Sequence, residues 1–220
     1  SKVKEPEKRE SRFAISSLGN AKGGLLDRKT ILLFLICFCA FISGSAIEHY
    51  LAIYLREPPL NAPYTIIAST YSIMELPNLV LQPYLGRLSD RFGRKPIILL
   101  GLLCFFPRCY LTGILENYIS VMLVQLINGL TFGGFYVASL AYLSDITPPE
   151  ERGKAIGVFL MGMMLGNVVG AFLGGMLSAS LGLAPMFQVL AFFSLAPAFL
   201  FAVSEWRTFR SPRSVAVSRV

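Results

Sequence analysis

The sequence predicts an all-α integral membrane protein with six transmembrane helices, and three observations carry that prediction. Of 220 residues, 54% are hydrophobic and 15% charged. Soluble domains carry roughly 25% charged residues, so this chain has too few charges to cover a water-facing surface. The apolar residues also fall in long runs, and about 20 consecutive apolar residues cross a bilayer as a helix. Finally, the basic residues segregate to alternate ends of those runs. The same numbers exclude other classes. Intrinsic disorder requires far less apolar content. A soluble nucleic-acid binder would suit the net charge of +7 but not the scarcity of charged residues.

Residues 1–27 are polar and mixed in charge, and read as a cytoplasmic tail or linker. They are longer than the n-region of a signal peptide, and the apolar run after them is too long for a cleaved h-region. The chain begins with Ser, so a native start upstream of it is expected. Six spans follow, at about 31–55, 64–86, 96–115, 118–144, 153–179 and 184–204. Each must be helical, because hydrocarbon offers backbone groups no other partner. The links after the first, third and fifth spans are short and nearly uncharged, whereas those after the second and fourth are charged. Trp206 reads as an interfacial anchor closing the 28–206 bundle, and 207–220 reads as a basic cytoplasmic tail.

Sorting the 20 Lys and Arg residues sets the orientation. Eight lie at or before Lys29, four in 87–95, two at Arg152 and Lys154, and four from Arg207 onward, which puts 18 on one side. Arg56 alone lies on the other, and Arg108 falls inside a span. The positive-inside rule then makes both termini cytoplasmic, in a multi-pass protein of the cell membrane. The basic excess reports topology and attraction to anionic lipid; no nucleic-acid partner is expected.

All four cysteines, Cys37, Cys39, Cys104 and Cys109, lie in predicted spans, where they read as small packing residues. No disulfide framework or zinc spacing is present. With one histidine and no Ser/His/Asp constellation in an aqueous cleft, the sequence gives no case for an enzyme, a metal site or a cofactor.

The most specific signal is the run from Gly86 to Ile97, GRLSDRFGRKPI. Its two glycines, Gly86 and Gly93, allow a tight reversal and close helix approach. One acid, Asp90, sits among bases that include Arg91, Arg94 and Lys95, beside a helix start whose dipole favours an anion. Charge alone would make this a topogenic loop. At nearly every fixed position, however, it resembles the major facilitator superfamily signature G-x-L-a-D-r-x-G-r-k-x-l, with Ile97 for the usual Leu. The resemblance implies one six-helix bundle of a twelve-helix transporter, with a second bundle in the same polypeptide or a partner chain. It implies that Asp90 is part of a gating latch at the cytoplasmic face that holds the outward-open state, by contacting basic loop residues and a helix N-terminus of the other bundle. Arg91, Arg94 and Lys95 would supply the basic part of that network.

Two further stretches resemble the family. Gly166-x-x-x-Gly170-Ala171-x-x-Gly174-Gly175 in the fifth span resembles its antiporter signature g-x-x-x-G-P-x-x-G-G, with Ala171 in place of the bend-forming Pro. Gly162, Gly166, Gly170 and Gly174 recur every four residues, a face on which a neighbouring backbone can approach closely. The stretch from Asp145 to Lys154 resembles the loop between the fourth and fifth helices, although acidic capping and Pro-Pro explain its turn locally. The fourth span departs from the drug–proton antiporter pattern R-x-x-q-G. Aligning its glycine on Gly129 puts neutral Gln125 at the Arg position and Asn128 at the Gln, which places the proton-coupled role of that position in doubt. Gln125-x-x-Asn128-Gly129, together with Phe132-Gly133 and Tyr136, is also loosely similar to members that import nucleosides, aromatic acids or sugars.

Ionisable residues inside a span are costly and face a cavity or a partner. Glu75 and Arg108 lie roughly 16 and 18 Å from the cytoplasmic ends of antiparallel neighbours, so they are expected to pair. That pair reads either as a static bridge or as a site where Glu75 protonates during transport. Glu48 and His49 read as an interfacial pair or as the external mouth of the pathway. Gln125, Asn128, Thr131, Tyr136, Ser139 and Tyr142 form a polar stripe on the fourth span. From that stripe Gln125, Asn128 and Tyr136 are the candidate substrate-cavity residues.

The expected function is secondary active transport of a small organic solute by alternating access, as proton-coupled drug or small-molecule efflux. The alternatives are a proton symporter importing a sugar, nucleoside or aromatic acid, and a non-transporting six-span scaffold or incomplete half-transporter. The partners implied are a small-molecule substrate, a proton, the lipid bilayer and a second six-helix bundle.

Overall fold

A computed structural model of the chain describes residues 28–209, with side chains through Glu205. The tails expected at 1–27 and 207–220, and the side chain of Trp206, lie outside the described residues, apart from the backbone at 207–209. Among the described residues the structure is helical with no strand. The helices are α1 (Arg28–Arg56), α2 (Tyr64–Phe92), α3 (Arg94–Ile114), α4 (Tyr118–Ile146), α5 (Arg152–Leu181), α6 (Leu183–Phe193) and α7 (Leu195–Phe209).

The last two make one rod interrupted at Ser194. Pro197 has no N–H to give the carbonyl four residues back, at Phe193. Ser194 covers the break by donating its backbone N–H to Leu190 O at 3.0 Å and its hydroxyl to Ala191 O at 2.6 Å. Five of the six rods are long and apolar enough to cross a membrane. The remaining one, α2, is 29 residues long, about 43 Å at 1.5 Å per residue. Glu75, Asn78, Gln82 and two prolines make it the least apolar of the six.

Helices extend past the apolar runs in the sequence. Hydropathy marks the stretch that can sit in hydrocarbon, whereas charged residues propagate a helix as well as apolar ones. The largest difference is at the signature motif, expected as a loop over 87–95. Here α2 runs on to Phe92 and α3 starts at Arg94, so the reversal takes one residue. That residue is Gly93, with φ 96° and ψ 152°, a conformation open in practice only to glycine.

Two apolar clusters fill the bundle. Towards the end bearing Gly93, Leu33, Ile36, Ile98, Leu102, Phe135, Phe159 and Phe201 pack together. Towards the opposite end, Ile47, Leu51, Leu55, Val121, Phe187 and Leu190 do the same. Outward-facing Leu79, Val168, Phe172, Phe199 and Val203 are well exposed. A continuous apolar exterior of that kind suits lipid, not water. α1 lies against α5, α3 against α6, and the middle of α4 against both α2 and α3.

A polar cavity held between two apolar clusters

Between the two clusters lies a buried polar layer built on Arg108, which is 4% exposed. Its guanidinium is fixed towards α4: Nε donates to Gln125 Oε1 at 3.1 Å, and Nη1 donates to Asn128 Oδ1 and, at 3.5 Å, to Thr131 Oγ1. Gln125 is fully buried and held in turn by Thr112 Oγ1 at 3.1 Å and Val121 O at 3.3 Å. Asn128 Nδ2 donates to Met74 O at 3.0 Å, which ties the layer to α2.

The backbone of α4 is irregular at this level. Gln125–Ile127 is a 3-10 turn and Gly129–Val137 is π-helical. Glycines permit it, because both neighbours press on α4. A Cβ on Gly129 would lie 2.6 Å from Pro77 Cβ of α2, and one on Gly101 of α3 would lie 2.9 Å from Phe135 Cα. Such π segments are frequent at functional sites.

A cavity of about 140 Å³ opens from this layer, lined by Glu48, Met74, Glu75, Asn78, Arg108, Asn128 and Phe132. Arg108 and Asn78 are buried at its inner end, while Glu48 and Glu75 are exposed at its mouth. The direct pair expected between Glu75 and Arg108 is not formed: among the described residues no carboxylate oxygen lies within 4.0 Å of Arg108. Glu75 Oε2 instead accepts from Asn78 Nδ2 at 3.0 Å, one turn along its own helix. Arg108 reaches α4 because Gln125 and Asn128 present oxygens to it from inside the bundle, whereas Glu75 lies on the outer edge of α2.

The other candidates separate as well. Asn128 lines the cavity, but Gln125 sits behind Arg108 and Tyr136 stacks on Phe132 with ring centroids 5.0 Å apart. Both therefore lie outside the cavity wall expected of them. Glu48 and His49 are adjacent on α1, so they point about 100° apart. Glu48 joins the cavity, while His49 Nδ1 donates back to Ser45 O at 2.8 Å. Asn78 and Phe132 are cavity residues the polar-stripe reading missed. An Asn one turn after Glu75 was the available signal for the first.

At the motif end, Arg94 joins three helices. It pairs with Asp90, donates Nε to Asp145 Oδ2 at 3.1 Å, and donates Nη1 to Ser89 Oγ at 2.8 Å. Lys95 forms a separate contact, pairing with Glu205 of α7, whose Oε1 accepts from Tyr142 Oη at 2.9 Å. Arg91 stacks over Phe92, 5.6 Å from its ring centroid. Gly86 lies within α2, where a Cβ would approach only Val137 Cγ1 at 4.0 Å. Gly162, Gly166, Gly170 and Gly174 are buried in one row on α5. A Cβ on Gly166 would lie 2.5 Å from Phe38 O and one on Gly162 2.9 Å from Phe34 O, both on α1. Next to that row, Tyr50 Oη donates to Ala171 O at 2.6 Å, at the position where the family signature carries Pro.

Comparison with known proteins gives the same direction. The sequence profile of the Major Facilitator Superfamily matches residues 30–216. Multidrug resistance protein 1 of Bacillus subtilis (strain 168) is 27% identical over 190 residues, which is 85% of this chain and 47% of that protein. Multidrug resistance protein MdtG of Proteus mirabilis (strain HI4320) is 29% identical over 165 residues, 72% of this chain and 41% of that protein. The Staphyloferrin B transporter of Staphylococcus aureus (strain NCTC 8325 / PS 47) is 29% identical over 136 residues, 62% and 32%. The chain thus spans less than half the length of each of these relatives.

Proposed function

The chain belongs to the Major Facilitator Superfamily, and from that premise we propose that it is one bundle of a secondary transporter that exports small organic solutes. The observation that carries this reading is the cavity at Arg108, a polar site midway along helices whose surroundings are apolar. Midplane sites between rocking bundles are where alternating-access transporters bind solute. Export is favoured over import by two relatives that are multidrug resistance proteins by name. The transport unit requires a second six-helix bundle, from the same polypeptide or a partner. In this reading the Gly93 end faces the cytoplasm of a cell membrane, and the Asp90–Arg94–Asp145 knot holds that end while the bundles rock. The coupling ion is the proton, carried by a carboxylate at the cavity mouth, with Glu75 the first candidate because its neutral form loses only a local bond to Asn78.

The test is transport of a panel of cationic, anionic and amphoteric aromatic solutes, ethidium among them, by the full-length protein in liposomes under an imposed proton gradient. Gradient-driven movement is expected, with pH dependence flattened in Glu75→Gln. An unchanged pH profile in that variant removes Glu75 as the carrier. No movement across a broad panel of organic solutes points to a non-transporting scaffold instead.

A further inference from the structure

Among the described residues, the cavity at Arg108 holds opposite charges that face one another across it without a direct bond, and buried polar atoms without a partner. Every hydrogen-bond partner of the Arg108 side chain among the described residues is a neutral amide or hydroxyl oxygen, and no carboxylate of theirs lies within 4.0 Å. Nη2 has no acceptor among them, although the residue is 4% exposed. Asn78 Oδ1, on a side chain 6% exposed in the same wall, has no donor. At the mouth, the carboxylates of Glu48 and Glu75 have no cation of the described residues within 4.0 Å. A buried N–H of a charged group left without an acceptor is disfavoured more than any neutral orphan. The guanidinium cannot swing out to find one, since Nε and Nη1 are both committed to α4. Within this bundle the open route for an acceptor to reach it is through the mouth, past two carboxylates.

A simple anion is repelled at that mouth, and a simple cation leaves Nη2 as it was. We propose that the cavity selects amphoteric solutes, small molecules bearing both a carboxylate and a cationic amine. The carboxylate docks on Arg108 Nη2, and the ammonium donates to Asn78 Oδ1 and the mouth carboxylates. Charge-assisted bonds of this kind are the strong ones in a site of low dielectric. Phe132, whose ring lines the same cavity, supplies an apolar wall that suits an aromatic skeleton. One ammonium neutralises one of the two carboxylates and leaves the other to hold the coupling proton. The inference rests on the transporter reading above and adds the solute class to it.

Three probes of one skeleton separate the charges: phenylalanine carries both, 2-phenylethylamine only the cation, and 3-phenylpropionate only the anion. Binding of each is measured on the full-length protein in detergent, alongside transport of the same solute panel in liposomes. Phenylalanine is expected to bind at least about tenfold more tightly than either analogue. In Glu48→Gln/Glu75→Gln, both substitutions at the exposed mouth, the preference for phenylalanine over 3-phenylpropionate should collapse. If 2-phenylethylamine binds as tightly as phenylalanine, or phenylalanine does not bind while another member of the panel is transported, the solute class is wrong and the transporter reading stands. If none of the three probes binds and no member of the panel moves, both fall together.

Discussion

At the scale of single residues, the organising fact is that a buried guanidinium is held by neutral oxygens. Gln125 Oε1 is the acceptor for Arg108 Nε, and Gln125 is itself fully buried. Gln125→Leu keeps the volume and removes the acceptor, so a second N–H of the same cation loses its partner. A hydrogen bond to a charged group is worth about 1.5–3 kcal/mol, and thermal unfolding in detergent should show a loss of that order. Gln125→Glu keeps the acceptor and brings a charge that suits Arg108 but loses the Nε2 donation to Thr112 Oγ1 and Val121 O, so its unfolding midpoint should fall between those of the parent and Gln125→Leu. Equal stability of the Leu and parent proteins would mean that Gln125 does not hold Arg108. The residue types of this layer were legible in the sequence, because polar residues inside apolar runs stand out. Their pairing was not. Depth along two helices placed Glu75 and Arg108 at one level, but depth carries no information on the side of the helix from which a partner reaches in.

At the scale of elements, the glycine row on α5 and the π segment of α4 show how sequence periodicity can be trusted and where it slips. Four glycines at intervals of four mark a contact face on any regular helix, and α1 fills that face. Gly166→Ala would place a Cβ 2.5 Å from the backbone oxygen of Phe38, which cannot yield without moving α1. Overpacking of this kind costs about 1–3 kcal/mol. Gly157, on the same helix, has nothing within 4 Å of a Cβ. Gly157→Ala should therefore stabilise by roughly 0.5–1 kcal/mol through helix propensity. Opposite shifts of the unfolding midpoint for the two variants are the expected result, and parallel shifts would disprove the packing argument. On α4 the regular spacing failed. Extending a stripe from Gln125 to Tyr136 assumes 3.6 residues per turn throughout, whereas a π segment widens the turn and rotates everything after it. Tyr136 consequently meets Phe132 instead of the cavity. The cause is tertiary: Pro77 of α2 packs against Gly129 and Gly101 of α3 against Phe135, both on α4, and no local pattern records that pressure. At the motif, Gly93 was recognisable as a turn, but the extension of α2 through Leu88 to Phe92 was hidden because the segment is charged.

At the scale of the whole molecule, what decides orientation is a charge count that no packing contact records. The count of 18 basic residues against Arg56 alone comes from the sequence. The fold adds that the described members of the majority gather at one end, with Arg94 and Lys95 both engaged there with carboxylates of other helices. Arg56 is at the opposite end, its guanidinium 4.6 Å from the Tyr64 ring centroid. Paired basic residues still count for topology, because insertion precedes the pairing and retention of Lys and Arg on the cytoplasmic side sets which way each hairpin enters. The Gly93 end should therefore face the cytoplasm and the 57–63 link the exterior. Glu57 and Glu150 are both exposed and lie in links at opposite ends, which makes them matched reporters. A membrane-impermeant maleimide applied to intact cells should label Glu57→Cys. It should label Glu150→Cys only after permeabilisation. The unsubstituted chain sets the background, since its four cysteines all lie within helices. Labelling in the reverse order would invert the topology. It would then place the Asp90–Arg94–Asp145 knot outside, where it could not act as a cytoplasmic latch.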